Sequence, residues 1–492
     1  MSTLIDNFRT IYSNLIAQKD FFEVGPGVYP ALGVTSNDEM KQRIEEQLQS
    51  KYWPKIYRKA FLEVLLEHYD AIDKKCMSDR NPYWFRLYLS MLTNAALQPD
   101  PRSKVDGQIR CLQALVSDLY KSFTVSRSKL GNLPPLQQVL PPLVTFTGYI
   151  AAEPVGLPPN PWQSEYPAPP FMLHIDLVQD LDPKIEVGIM NMSPGFREHP
   201  MLWSLLTHEV AGHAVLNADR LLLRQISREV RQLFSNRNPI LGSLWYHWCE
   251  EAASDICGML NMGPSFAIGA FLFYTAISAL IEVPPKRLSQ SSPPKLENAA
   301  HIFQDSNIID YHYPEILMPH LLMGAIEHMD ELSHRIRLQY LDMIRELTKY
   351  CTGTQVTLEF PTGALVPGED EANIKLQDKY DLDEMQAAAH AVGGFLVTKE
   401  FRALNQNNLQ ALETWDNADE ERAQLVAARL KGSGSLDDIL ERDDEDEFDD
   451  GCLLAGAMLA LIEKPEKYYD LNKLLTKALE RSYRTDKILH KT

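Results

Sequence analysis

The stretch "LTHEVAGHAV", Leu206 to Val215, constrains this chain more than any other, because it sets His208, Glu209 and His213 in an apolar surrounding. The metal-binding pattern H-E-x-x-H places two histidines four residues apart, on one face of a helix. Here they are five apart. On a regular helix five residues turn the side-chain direction by roughly 140°, and imidazoles so splayed cannot share an ion. Either the two histidines are unrelated, or a π-turn absorbs the extra residue and returns His213 to the face of His208. Gly212 would ease the backbone at such a turn. Glycine inside a helix costs about 1 kcal/mol relative to alanine, so its presence there points to something that compensates.

A second stretch decides between these. "WYHWCEEAASDICGML", Trp245 to Leu260, reads as part of the next helix, from about Leu241 to Asn261. Glu251 and Asp255 are four residues apart and share a face. Their apolar flanks imply burial, and buried carboxylates require a cation or hydrogen-bond partners. Two histidines from one helix and Glu251 from the next make three protein ligands for zinc, with one position open for water. Asp255 is then placed to accept the outward N–H of a ligating histidine, and Glu250 to serve the other. His247, four residues before Glu251, and Asn217, four after His213, are further residues near this face, each more simply read as structural.

"HEVAGH" followed by "EEAASD" resembles the paired motifs of the dipeptidyl peptidase III family, H-E-x-x-G-H and E-E-x-x-A-[ED]. The resemblance covers about fifty residues. It implies a zinc metallopeptidase of the gluzincin type, with His208, His213 and Glu251 as ligands and Glu209 as general base. Glu250 and Asp255 would be the outer partners of the histidines. The chain departs from the pattern in Ser254, where the family usually has alanine, and in a shorter gap between the motifs.

The chemistry that follows is hydrolysis of a peptide or small amide. Glu209 would take a proton from the zinc-activated water and pass it to the leaving amine. The developing oxyanion needs a donor besides the metal, and "IIDYHYPEILMPH" offers Tyr311, His312, Tyr313 and His320. His312 is the first choice, by comparison with the peptidases just named. The strand expected in "PKIEVGIMNMSPG", Pro183 to Gly195, precedes the motif helix. That order suggests an edge strand whose Val187–Asn191 backbone holds an extended substrate in register. Two other readings stay open. Two histidines and a carboxylate also describe the iron(II) facial triad of non-haem oxygenases. Alternatively, a closed structural metal site, with His247 as fourth ligand, would only staple two helices.

The rest of the 492 residues frames this centre as mainly α (α+β): a zincin-like helical metal-site core with a small β-sheet, flanked by helical N- and C-terminal regions. Residues 1–130 read as helical and 131–182 as a proline-rich connection. The catalytic core would span 183–351. A mostly helical region, 352–492, would close the chain, with an acidic loop at 437–450 that does not follow the ligand order of a calcium loop. Phe266–Ile281 is too short and too polar for a usual membrane span, so it reads as a buried helix. A net charge of −19 argues against nucleic acid as partner. Six scattered cysteines, without a C-x-x-C pair, and no recognisable secretory leader suggest a cytoplasmic protein with reduced thiols.

Overall fold

Helices form where apolar residues recur at three- and four-residue steps. At the N-terminal end these are α1 (Ser2–Ala17), α2 (Asn37–Gln49), α3 (Glu63–Ser78), α4 (Pro82–Leu97) and α5 (Asp106–Lys129). In α5 the buried stripe runs through Ile109, Leu112, Leu115, Leu119 and Phe123, the pattern of a helix with one face in a core. The structure is a computed structural model. It describes residues 2–17, 37–51, 53–78, 82–100, 103, 106–131, 133, 134, 136, 140–146, 171–173, 187–192, 196, 199–282, 312–352, 358, 359, 365, 366, 374, 375, 379–432 and 450–482. Tyr311, most of the proline-rich connection and nearly all of the acidic loop lie outside these residues.

The main sheet has three strands, β1 (Leu143–Phe146), β2 (Phe171–Leu173) and β3 (Ile189–Met192), in the order β1-β3-β2. β3 pairs in parallel with β1 and antiparallel with β2. Both of its edges are therefore hydrogen-bonded, and all four of its residues are buried. This corrects the edge-strand expectation. A strand with a neighbour on each side has no free N–H and C=O groups for a substrate, so the Ile189–Asn191 part of that backbone cannot hold one. The alternation read from the sequence marked a strand correctly but said nothing of its place in the sheet.

The stretch expected as one helix from about Pro200 to Phe234 is broken into pieces. A 3-10 turn (Pro200–Ser204) leads into a π-helix (Thr207–Ala214), a single α-turn α6 (Val215–Ala218), and then α7 (Arg220–Phe234). The break falls at Asp219, whose side chain caps α7 by accepting from the Leu222 N–H at 3.1 Å and receives Arg127 Nε at 2.8 Å. A buried aspartate used in this way favours a fresh helix start over continuation. In α7, Leu222, Ile226, Val230 and Phe234 form the buried stripe.

The next expected helix also divides, into α8 (Pro239–His247) and α9 (Cys249–Met262), with Trp248 off helical geometry between them. α10 (Ser265–Glu282) buries Phe266 to Phe273 in the core, as the reading of this apolar run requires. No helix among the described residues is long and apolar enough to cross a membrane. Then come α11 (Met318–Ile326), α12 (His334–Thr352), α13 (Leu382–Thr398), α14 (Asn417–Gly432), α15 (Asp450–Glu463) and α16 (Tyr468–Ser482). Two short strand pairs lie between α12 and α13.

One hydrophobic core runs from Phe8 to Leu479 and includes residues on both sides of the motif helices. The chain's two ends meet within it. Asn7 donates to the Ile462 carbonyl at 2.9 Å and Asn14 to that of Pro465 at 3.0 Å, while Phe8 packs on Phe271 with ring centroids 5.6 Å apart. The architecture is mainly α with a small sheet, and the π-helix and α9 sit inside it, covered on most sides.

Candidate metal centre

The π-helix spans Thr207–Ala214 and so contains His208, Glu209 and His213. Its wider turn takes up the inserted residue, and the two imidazoles come together with ring centroids 4.9 Å apart. Gly212 matters for a reason other than the one its position suggested. A Cβ there would lie 2.4 Å from Ser254 Cβ and 2.5 Å from Ser254 Cα on α9. Carbon atoms in ordinary contact are about 3.5–4.0 Å apart. Glycine is thus required by the close approach of the second helix, and not by strain in its own backbone. Gly258 plays the matching part from α9, since a Cβ there would lie 3.0 Å from the His208 backbone nitrogen.

This close crossing delivers Glu251. Its Oε2 is 3.4 Å from His208 Nε2, and its Oε1 is 3.3 Å from His213 Nε2. Ligand atoms about 2.0–2.2 Å from a tetrahedral ion lie roughly 3.3–3.6 Å from one another. Each nitrogen–oxygen spacing has the length of one edge of a zinc-sized tetrahedron, the two running to different oxygens of Glu251, and one donor atom from each of the three residues lies within 4.8 Å of the others. Among the described residues His208, His213 and Glu251 form the one set of three whose donor atoms converge in this way. His247 does not join it. The break at Trp248 puts His247 on α8 and Glu251 on α9, so the four-residue spacing does not give them a common face.

The outer nitrogens are held as the sequence led one to expect. His208 Nδ1 is 2.7 Å from Asp255 Oδ1, and His213 Nδ1 is 3.0 Å from Glu250 Oε1. A carboxylate at Nδ1 keeps the proton there and leaves the Nε2 lone pair facing the centre, the tautomer that a metal ligand needs. Two further supports were not assigned from the sequence. Asn217 donates to Glu250 Oε1 at 2.9 Å and to the His213 carbonyl at 3.0 Å. The Tyr313 hydroxyl donates to Asp255 Oδ2.

The charges are strongly coupled. Burial works against a positive His208, yet Asp255 and Glu251 outweigh it and hold its pKa at about 10. His213 is raised as well, with burial again opposed by Glu251 and Glu250 and, more weakly, by Glu209. Burial would raise Glu251, but the charges of His312 and His213 and the bonds from both histidines hold it well below the carboxylate range. Protons and a divalent cation would compete for the same nitrogen lone pairs.

Glu209 is buried at this centre, and its charge is felt by both His213 and Tyr274. His312 stands at the mouth, its side chain 62% exposed and its Nε2 3.6 Å from Glu251 Oε1. His320 does not belong here. It lies on α11, where burial and the charge of His390 push its pKa down to about 4. Tyr313 is spent on Asp255 and does not face an incoming substrate. Tyr274 on α10 is a newcomer: burial, followed by the charges of Asp255, Glu251, Glu315 and Glu209, keeps its hydroxyl protonated. Its signal was hidden in the apolar run Phe266–Ile281, where one tyrosine looks like core. Comparison with protein-family models, with curated proteins and with solved structures gave no match to this chain.

Proposed function

We propose that this chain is a zinc-dependent metallopeptidase, or a related amide hydrolase, of the gluzincin type. The observation that carries this reading is the set of spacings of 3.3 and 3.4 Å from Glu251 to two correctly oriented imidazoles. When bound there, zinc supplies a Lewis acid and a water whose pKa falls toward about 7. Glu209 follows His208 directly and is the group that would act as general base, taking a proton from a water held there and returning it to the leaving amine. His312 donates to the oxyanion from the exposed side, and the neutral Tyr274 hydroxyl is a second donor on α10. Asp255 and Glu250 keep the two ligand histidines in place.

The substrate is a peptide or small amide. The charge of −19 argues against nucleic acid as substrate. Among the described residues Cys249 and Cys257 are free, buried thiols, which supports a reducing, cytoplasmic setting. An oxygenase needs no base beside its metal, so Glu209 favours hydrolysis over the iron alternative. The test is Glu209→Gln, with bound zinc and cleavage of a peptide library measured together. Zinc should stay and cleavage should fall by about 10²–10⁴-fold. Full activity in that variant, or turnover that needs dioxygen, would contradict the proposal.

A further inference from the structure

The Tyr313 hydroxyl is the least expected polar group near the centre. Tyr313 is buried, and its ring lies against Trp245 with centroids 5.8 Å apart. Trp245 in turn meets Trp248 edge-on at 5.6 Å. Pro314 follows directly and restricts the Tyr313 backbone to extended geometry. The side chain is therefore fixed from the ring and from the main chain together.

Its hydroxyl reaches Asp255, which is itself buried. The two oxygens of Asp255 have different tasks: Oδ1 meets His208 Nδ1 and Oδ2 receives Tyr313. A carboxylate held by only one of its oxygens is free to pivot about its own axis. With the second oxygen pinned, it presents a fixed acceptor to the imidazole. The residue before Tyr313 is His312, whose Nε2 stands 3.6 Å from Glu251. The same anchor that steadies Asp255 behind the centre also fixes the segment that carries His312 to its mouth.

We infer that Tyr313 is a positioning residue of this metal centre: its hydroxyl, through Asp255, sets the orientation of His208 as a ligand, and its anchoring places His312. This rests on the metal-site reading above but needs no peptidase activity. Removal of an outer-sphere partner typically weakens metal binding by about 10–100-fold. Tyr313→Phe deletes the donor and keeps the ring on Trp245.

The experiment uses the full chain and zinc alone, titrated against a chromophoric chelator. The visible spectrum of the cobalt(II)-loaded protein and the melting of the metal-free protein are measured alongside. Tyr313→Phe should bind zinc about tenfold more weakly and shift the cobalt bands, with melting of the metal-free protein near that of wild type. In an Asp255→Ala background the same substitution should change nothing further. Should Tyr313→Phe not fold, 3-fluorotyrosine at this position keeps the shape and strengthens the donor, and it should also move the cobalt bands. Wild-type affinity and spectrum in Tyr313→Phe, an additive effect in the Asp255→Ala background, or unmoved bands with 3-fluorotyrosine would each overturn the inference. Absence of zinc binding by wild type would instead remove the metal site itself.

Discussion

Gly212→Ala is the sharpest mechanical test of how this centre is built. The added Cβ would lie 2.4 Å from Ser254 Cβ and 2.5 Å from Ser254 Cα. Contact distance for carbon is about 3.5–4.0 Å, so something must move by about 1 Å or more. The Ser254 Cα is backbone and cannot rotate away, which leaves separation of the π-helix from α9. Overpacking of this kind costs about 1–3 kcal/mol, against a helix-propensity gain for alanine of about 1 kcal/mol. A net loss of about 1 kcal/mol, and at most about 2 kcal/mol, is the expected result, read from denaturant unfolding of the metal-free protein. The effect on the centre is larger. Opening the helices by about 1 Å takes His208 Nδ1 and Asp255 Oδ1 from 2.7 Å to beyond hydrogen-bonding range. It also pulls Glu251 off positions that zinc tolerates to within about 0.2 Å. Zinc affinity should fall by 100-fold or more, a threshold set by the loss of a single outer partner. A variant with wild-type stability, and zinc affinity within threefold of wild type, would refute the reasoning.

Ser254→Ala should act in the opposite direction. Ser254 Oγ is buried with no hydrogen-bond partner, so its removal should stabilise the protein by about 1 kcal/mol in chemical denaturation. Asn217→Ala leaves Glu250 without one of its two donors and should weaken zinc binding by about tenfold in chelator competition. His247→Gln should leave zinc affinity unchanged; a large loss would restore the stapled-site reading. The metal-free protein should also depend on pH. His208 has a folded pKa of about 10 against about 6.5 when unfolded. Its contribution is full below about pH 6.5 and is lost as the pH rises toward 10. His213 acts in the same direction. The melting temperature of metal-free protein should therefore fall across that window, and zinc-loaded protein, with both nitrogens occupied, should not show the same decline.

The candidate metal centre was legible because it is local. The steps of five positions from His208 to His213 and of four from Glu251 to Asp255 are spacings within single helices, and helix geometry turns spacing into direction. The partners Asp255 and Glu250 followed from the same arithmetic. What spacing could not supply is contact across the fold. The role of Gly212 is set by Ser254 on another helix, and the place of β3 by strands that precede it by many residues. Tyr313 and Tyr274 come from segments about 58 and 19 positions beyond Asp255 and act through tertiary packing. The helix break at Trp248 had no proline or glycine to mark it, so His247 looked closer to Glu251's face than it is. The cap of Asp219 on Leu222 is local, but the partner that lets Asp219 be buried there, Arg127, lies on α5 and is outside the reach of spacing.

The most direct measurement is the zinc content of purified protein after dialysis, for wild type and for Glu251→Ala. Wild type should retain one equivalent per chain, and the variant, left with two histidines, should retain little or none while keeping its helical circular dichroism. Equal zinc in the two proteins, or none in wild type, would contradict the convergence of His208, His213 and Glu251 on a single ion.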